Sequence, residues 1–305
     1  MKSPTISVIM SVYNDADYIE KAIVSLLVQT FNDFEIIIIN DGSTDKTEKL
    51  IRKINDPRIN LINRPNRGLT KSLNYALSKA KGKWIARQDA DDISIFNRFE
   101  RQIDYLQKHP KVKLLGSAQF VIRRYDLVEE IFSFPCDNEI IEKALSLYNP
   151  FVHGSMIIDK DLLIKNNGYN EKYRYVQDYE LWTRLVPQTF VKNLSTPLYI
   201  RCVHKNCSEA KVDKEPIFQE IQNQYLKFSF GRNIEDNDSE TLIKSKSIYP
   251  IVSFADKHSL LLAKHYMHMF RGLKKYGTSS YRSLLNSFIY CPVIPFFYRF
   301  PKIEK

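Results

Sequence analysis

Read for apolar and polar positions, the chain opens with Ile6 to Val12, a short run rich in β-branched residues that ends at Tyr13-Asn14-Asp15. This is the pattern of a buried strand opening into a loop. From Tyr18 to Val28 the period changes, and Ile19, Ile23, Leu26 and Leu27 fall on one helical face. Phe34 to Ile39 is again a continuous apolar run, closed by Asn40-Asp41-Gly42-Ser43, which completes a βαβ unit. Ser43-Thr44-Asp45 can cap a helix over Lys46 to Ile54, and Ile59 to Asn63 reads as a third strand. The turn Asn66-Arg67-Gly68 then leads into a helix over Leu69 to Ala80. Gly82 to Ala86 gives a fourth strand, which runs into Arg87-Gln88-Asp89-Ala90-Asp91-Asp92.

Such alternation predicts an α/β fold with a mostly parallel sheet covered by helices, in which ligands sit beyond the carboxyl ends of the strands. Asp15, Asp41 and the Asp89/Asp91/Asp92 cluster each follow a predicted strand, so the fold should bring them to one rim. From about residue 215 the alternation stops and the pattern turns helical. Leu262, Tyr266, Met269, Leu273 and Tyr276 stand at helix spacing there, with Lys257, Lys264 and Arg271 on another face. The expected organisation is a catalytic domain over 1–214 and a helical, basic and aromatic extension over 215–305.

With 305 residues, 44% of them hydrophobic and 26% charged, the chain can build an ordinary core without staples, and disorder as its main state is excluded. Its four cysteines, Cys136, Cys202, Cys207 and Cys291, contain no Cys-x-x-Cys pair. Neither a zinc ribbon nor a disulfide framework is expected, and a reducing, cytoplasmic compartment is the default. The apolar run at the N-terminus is short for a signal peptide, and Phe288 to Tyr298 is too short and too proline-interrupted to span a bilayer. Nine glycines with no Gly-x-Gly-x-x-Gly and no phosphate-loop motif argue against dinucleotide oxidoreductases and P-loop enzymes.

Charge adds one more fact. Residues 257–305 hold nine Lys/Arg and one acid, Glu304, hence +8 of the net +10, so the basicity belongs to the tail. A near-neutral body with a cationic, aromatic end points to an anionic membrane surface rather than to nucleic acid. The alternative is that the tail packs on the body or on a second copy as a homodimer.

Asp89-Ala90-Asp91 at a strand end suits a hard divalent cation, Mg²⁺ or Mn²⁺, held by one or two carboxylates and completed by substrate phosphates. The wider pattern resembles the family 2 glycosyltransferases. Six segments carry the resemblance: Ser7 to Asn14, Gln29-Thr30-Phe31, Asn40 to Asp45, Asn66 to Leu69 with Leu73-Asn74, Gly82 to Asp92, and Gln177 to Trp182. They cover roughly residues 5 to 210. The resemblance implies the GT-A nucleotide-diphospho-sugar transferase fold, with Ser11, Tyr13 and Asp41 holding the nucleotide base. It further implies Asp89 near the ribose and Asp91, with Asp89, at the metal. A carboxylate can accept from a base N–H edge and a ring can stack on its face. Spacing alone would make Asp41 a turn residue.

By the same resemblance Asn149 to Ser155 is the acceptor-side segment and Asp178 the single carboxylate that removes the acceptor's proton in an inverting transfer. The plainer reading is that Asp178 and Glu180 charge the first turn of their helix. Arg201 and His204, in a segment running to Ser208, are implied diphosphate or metal contacts, or else ordinary surface residues. Arg98 reads as a helix-face ion pair, and His258, His265 and His268 as surface or interface residues. The expected activity is sugar transfer from a nucleotide-diphosphate donor, UDP-linked, to a glycan or lipid-linked acceptor in bacterial cell-surface polysaccharide or lipopolysaccharide synthesis, at the inner face of the membrane. The rival readings are a metal-dependent nucleotidyltransferase and a basic nucleic-acid-binding protein.

Overall fold

The computed structural model describes residues 3–124, 127–204, 213–230 and 251–253. The four apolar runs form β1 (Ile6–Val12), β2 (Phe34–Asn40), β3 (Ile59–Asn63) and β4 (Trp84–Arg87). They are joined by α1 (Ile19–Leu27), α2 (Thr47–Arg52) and α3 (Leu69–Lys79). β1 pairs in parallel with β2 on one side and β4 on the other, and β3 adds in parallel to β2. Alternate residues enter opposite apolar layers. Val8, Met10, Val12, Ile36 and Ile38 meet Ile23 and Leu26 of α1, while Ile9, Ile37 and Ile39 meet Leu73 and Ala76 of α3. Burial on both faces is why these strands read as continuous apolar runs rather than as alternation.

Beyond β4 the chain forms β5 (Ile93–Ser94), α4 (Arg98–Lys108), β6 (Val112–Arg124), β7 (Leu127–Ser133), α5 (Asn138–Leu145), β8 (Ile157–Asp159) and α6 (Lys160–Lys165). There follow α7 (Gln177–Leu185), β9 (Phe190–Cys202), α8 (Glu215–Phe230) and β10 (Ile251–Ser253). The sheet runs β10-β7-β6-β8-β4-β1-β2-β3, and β9 lies along β6 and also pairs with β5. The sheet is parallel through β3-β2-β1-β4 and mixed beyond. β8 inserts antiparallel between β4 and β6, and β7 and β10 continue antiparallel. Only β9 returns parallel to β6. The parallel half is the half with a helix between successive strands, which is what parallel neighbours require.

α8 begins at Glu215, where the sequence pattern changes, and packs against α7. Ile221, Tyr225 and Leu226 bury into the same layer as Trp182, and the Tyr179 and Phe218 rings stack 4.2 Å apart. No helix among the described residues is long and apolar enough to cross a membrane. The tail features named from the sequence, its cationic and aromatic residues from Lys257 onward and its three histidines, lie outside the described residues, as do Cys207, Ser208 and Cys291.

Candidate active site

After β1 the chain turns to β2 and β3 on one side, then returns to β4 on the other, so the sheet has its switch point between β1 and β4. The crevice expected there is a cleft of about 460 Å³ whose walls include Tyr13, Asp41, Asp89, Asp91, Asp92, His153, Asp178 and Arg201. A larger hollow of about 650 Å³, at the opposite edge where β6 and β9 begin, is lined by Lys111, Lys113, Asp159 and Phe190. It holds none of the expected site residues, and its Lys113 is already paired with Asp159 at 3.0 Å. The smaller cleft is the one with chemistry in it.

The acidic loop after β4 is held from beneath. Gln88 donates to the carbonyls of Asp89 and Asp92 at 3.1 and 3.0 Å and accepts from Ser94 Oγ at 2.6 Å. Arg98, fully buried, donates to the Arg87 and Met156 carbonyls at 3.0 and 3.2 Å, to Ser94 Oγ at 2.8 Å and to Gln102 Oε1 at 3.1 Å. The expectation of a helix-face ion pair for Arg98 is therefore corrected: it is a buried pin, its pKa lowered to about 10 by burial. Gln29, part of an otherwise unexplained motif, serves the same frame. It accepts from the Phe99 N–H at 3.1 Å and donates to the Ile95 carbonyl at 2.8 Å.

Pairing of β5 with Tyr199 and Ile200 of β9 brings the end of β9 onto the acidic loop. The Cys202 N–H donates to Asp92 at 2.8 Å, His204 Nε2 lies 2.9 Å from Asp91 Oδ2, and Tyr18 stacks on the His204 ring at 4.1 Å. Arg87 forms an ion pair with Asp89. These contacts divide the acids. Burial, with the charges of Asp91 and Asp89 added, pushes the Asp92 carboxyl well up. Burial and the Asp91 charge raise Asp15 to about 7. Asp89 goes the other way: burial pushes its carboxyl up, but Arg87 with His153 and Arg201 together outweigh burial and hold it low. Crowding like charges in this way is the usual sign of a site prepared for positive charge. Among the described residues no group of three or more His, Cys, Asp and Glu has metal-ligand geometry. A cation here would have Asp91 and few other protein ligands, leaving coordination open for phosphate oxygens.

Asp41 is buried and lines the cleft, but its carboxylate also holds the next βα turn. It accepts from the N–H groups of Arg67 and Gly68 at 3.0 and 2.8 Å and from Ser72 Oγ at 2.7 Å. The turn reading and the cleft reading thus both describe it. Gly42 beside it holds φ +81, and a Cβ there would stand 2.7 Å from the Asn66 backbone N, so the turn needs glycine. Tyr13 is 49% exposed over the cleft. Ser11 is half-buried on β1 and stands apart from the cleft wall.

The far wall comes from the second half of the chain. Asp178 lies on the first turn of α7 yet does not cap it; its Oδ2 accepts from Asn149 Nδ2 at 2.7 Å. Glu180 behaves differently, pairing with both Arg184 Nε and Nη2 at 2.9 Å, a bidentate clamp within the helix. His153 Nε2 meets the Tyr169 hydroxyl at 2.8 Å, and burial, reinforced by Arg87, lowers its pKa to about 4, so the ring is neutral at physiological pH. Asn149 and His153 had no individual role in the sequence reading, and Arg98 had the wrong one. Asn149 and His153 stand in a segment singled out for its resemblance, and only the fold shows that they surround Asp178 and Asp89.

The sequence profile of Glycosyl transferase family 2 matches residues 7–163. The chain belongs to that family. It is a glycosyltransferase of GT-A fold, which removes the nucleotidyltransferase and nucleic-acid-binding alternatives. Among its relatives, the O-antigen biosynthesis glycosyltransferase WbnJ of Escherichia coli is 31% identical over 210 residues, 67% of this chain and 82% of that one. Of solved structures, S. aureus TarS in complex with UDP-GlcNAc superposes with a TM-score of 0.58 at 17% identity, covering 93% of this chain and 91% of that one. The mannosyltransferase PcManGT from Pyrobaculum calidifontis, in complex with GDP-Man and Mn²⁺, gives 0.55 at 16% identity over 97% and 83%. At such identities the structural likeness shows the fold.

Proposed function

We propose that this glycosyltransferase moves a sugar, with inversion, from a nucleotide-diphosphate donor to a hydroxyl of a glycan or lipid-linked acceptor in cell-surface polysaccharide or lipopolysaccharide synthesis. One observation carries the reading. Asp178 stands on the same cleft as Asp89 and Asp91 but on the wall contributed by α7, so one carboxylate faces a donor-side group of acids. An inverting transfer needs this division, with a base on one side of the anomeric carbon and leaving-group stabilisation on the other.

In this reading Tyr13 offers a ring and Asp41 a carboxylate for the base, while Ser11, which stands apart from the cleft wall, has no contact among the described residues that supports its implied role. Asp89 lies toward the ribose, and Arg201 and His204 lie toward the diphosphate. Asp91, with Asp89, would hold Mn²⁺ or Mg²⁺, which neutralises charge on the departing diphosphate when bound. Asp91 is the better placed of the two because the charge of Asp89 is already answered by Arg87. Asp178 takes the proton from the acceptor hydroxyl as that oxygen attacks. UDP is the proposed nucleotide. TarS is solved with UDP-GlcNAc and PcManGT with GDP-Man, so a thermal-shift screen of UDP- and GDP-sugars with each metal is the first experiment.

The decisive pair of variants follows from the division of roles. Asp91→Ala is expected to abolish Mn²⁺-dependent binding of UDP measured by calorimetry, whereas Asp178→Ala keeps that binding and loses at least about 100-fold in transfer. Transfer at the parent rate by Asp178→Ala would remove the base assignment. The tail beyond Lys257 is proposed to rest on the anionic inner leaflet, each basic residue contributing about 1 kcal/mol. Flotation with anionic liposomes should retain the full chain and lose one truncated after Asp256; equal retention would discard membrane contact in favour of a packed or dimeric tail.

A further inference from the structure

A carboxylate on the first turn of a helix ordinarily finds its partners among that helix's own free N–H groups. Asp178 instead reaches to Asn149, 29 residues earlier in the chain. The orientation of this amide is dictated by its surroundings. The Phe151 N–H, which can only donate, meets Asn149 Oδ1 at 3.2 Å, and the Asp178 carboxylate, which accepts when ionised, meets Nδ2. The Asn149 amide is therefore bound at both ends in one arrangement.

The loop carrying Asn149 is tied to the sheet. Asn193 of β9, itself buried, donates to the Pro150 carbonyl at 3.0 Å and to the Pro135 carbonyl at 2.9 Å. Asp178, by contrast, follows a strained connection. Val176, two residues before it, holds φ 58 and ψ 17, a left-handed conformation that a β-branched residue adopts only at a cost. The turn is held by the Glu180 N–H on the Val176 carbonyl at 3.1 Å and by Thr70 Oγ1 on the Tyr173 carbonyl at 2.8 Å. Among the described residues Asp178 makes no other side-chain hydrogen bond, so Oδ2 is held and Oδ1 is not, on a residue that lines the cleft.

We propose that Asn149 is a positioning residue, which clamps one oxygen of Asp178 so that the other is aimed at the incoming acceptor hydroxyl. The proposal rests on Asp178 being the base. A base that rotates freely seldom presents a lone pair along the line of proton transfer, and small misplacements of reacting groups cost up to about 100-fold in rate.

Asn149→Asp keeps the acceptor that the Phe151 N–H needs but exchanges the donor for a second carboxylate oxygen, whose charge beside Asp178 favours a proton shared between the two. The assay is release of nucleotide from the UDP- or GDP-sugar selected by thermal shift, with water standing in for the acceptor. Parent, Asn149→Asp, Asn149→Ala and Asp178→Asn are compared across pH. For Asn149→Asp we expect a melting temperature unchanged on the acid side, where the two carboxyls share a proton, an unchanged KM for the donor, a fall in kcat of about 10- to 100-fold and an acid limb displaced to higher pH. Asn149→Ala should lose kcat and melting temperature together. Parent kcat and pH profile in Asn149→Asp, with Asp178→Asn inactive, would overturn the positioning role alone. Parent kcat in Asp178→Asn would overturn the base and the proposal with it. In Asn149→Asp, a fall in melting temperature on the acid side that matches the fall in kcat would leave Asn149 a structural residue only, which also overturns the proposal.

Discussion

The two walls of the cleft are built by opposite means. The wall proposed for the donor comes largely from the ends of β1, β2 and β4, where Tyr13, Asp41, Asp89 and Asp91 follow their strands within a few positions, with the end of β9 added by its pairing with β5. The wall proposed for the acceptor comes from residues 149–178, whose one strand, β8, is three residues long, and its Asn149 and Asp178 are held by contacts such as Asn149–Asp178 and Thr70–Tyr173, 29 and 103 positions apart in sequence. The first wall inherits its geometry from a parallel sheet. The second must be assembled from single hydrogen bonds, several of them made by buried amides. A site built in this way can keep its donor chemistry while its acceptor side diverges, because loop contacts can change without disturbing the sheet.

The comparison breaks most visibly at Arg98, which joins the two walls by donating to carbonyls on either side of the β4–β8 junction. Arg98→Ala removes the donors that the Arg87 carbonyl and Gln102 Oε1 receive from it and leaves a cavity beneath the acidic loop. A loss of about 4 kcal/mol in chemical denaturation is expected, larger than for ordinary substitutions. A change below about 1 kcal/mol would show that the acidic loop stands without its pin.

His153 tests the acceptor side through pH. In the unfolded chain its imidazole gains a proton near 6.5, whereas in the folded protein its pKa is about 4. The unfolded state then binds more protons between these values, so this residue contributes stability present above pH 6.5 and lost as pH falls toward 4. The full contribution is up to about 3 kcal/mol. Asp15, raised to about 7, acts with the opposite sign over the same range. The clean measurement is therefore a difference: stability of the parent minus that of His153→Gln should fall by most of that amount between pH 6.5 and 4. A flat difference would mean the ring is not held neutral.

The strands and helices of the first half, and their burial under helices on both faces, could be read from the apolar period because that pattern is local. Four runs and three helices appear within a residue or two of their expected limits. Glu180 and Arg98 could not be assigned by the same means. A charged residue at helix spacing looks alike whether it meets solvent, a neighbour one turn away or a carbonyl from another strand. Asn149 shows the same limit, since nothing in Asn-Pro-Phe says that its amide will meet a carboxylate on α7.

The order of strand and helix, the acids at the strand tips and the family follow from the amino acids in succession, because short-range sterics and hydrophobic period act along the chain. Which acid keeps its charge, which arginine lies buried and which oxygen of Asp178 meets Asn149 were decided only when β5 met β9 and the 149–151 loop met α7. Desolvation and hydrogen bonding depend on what surrounds a group in space, and those surroundings come from residues far apart in the sequence.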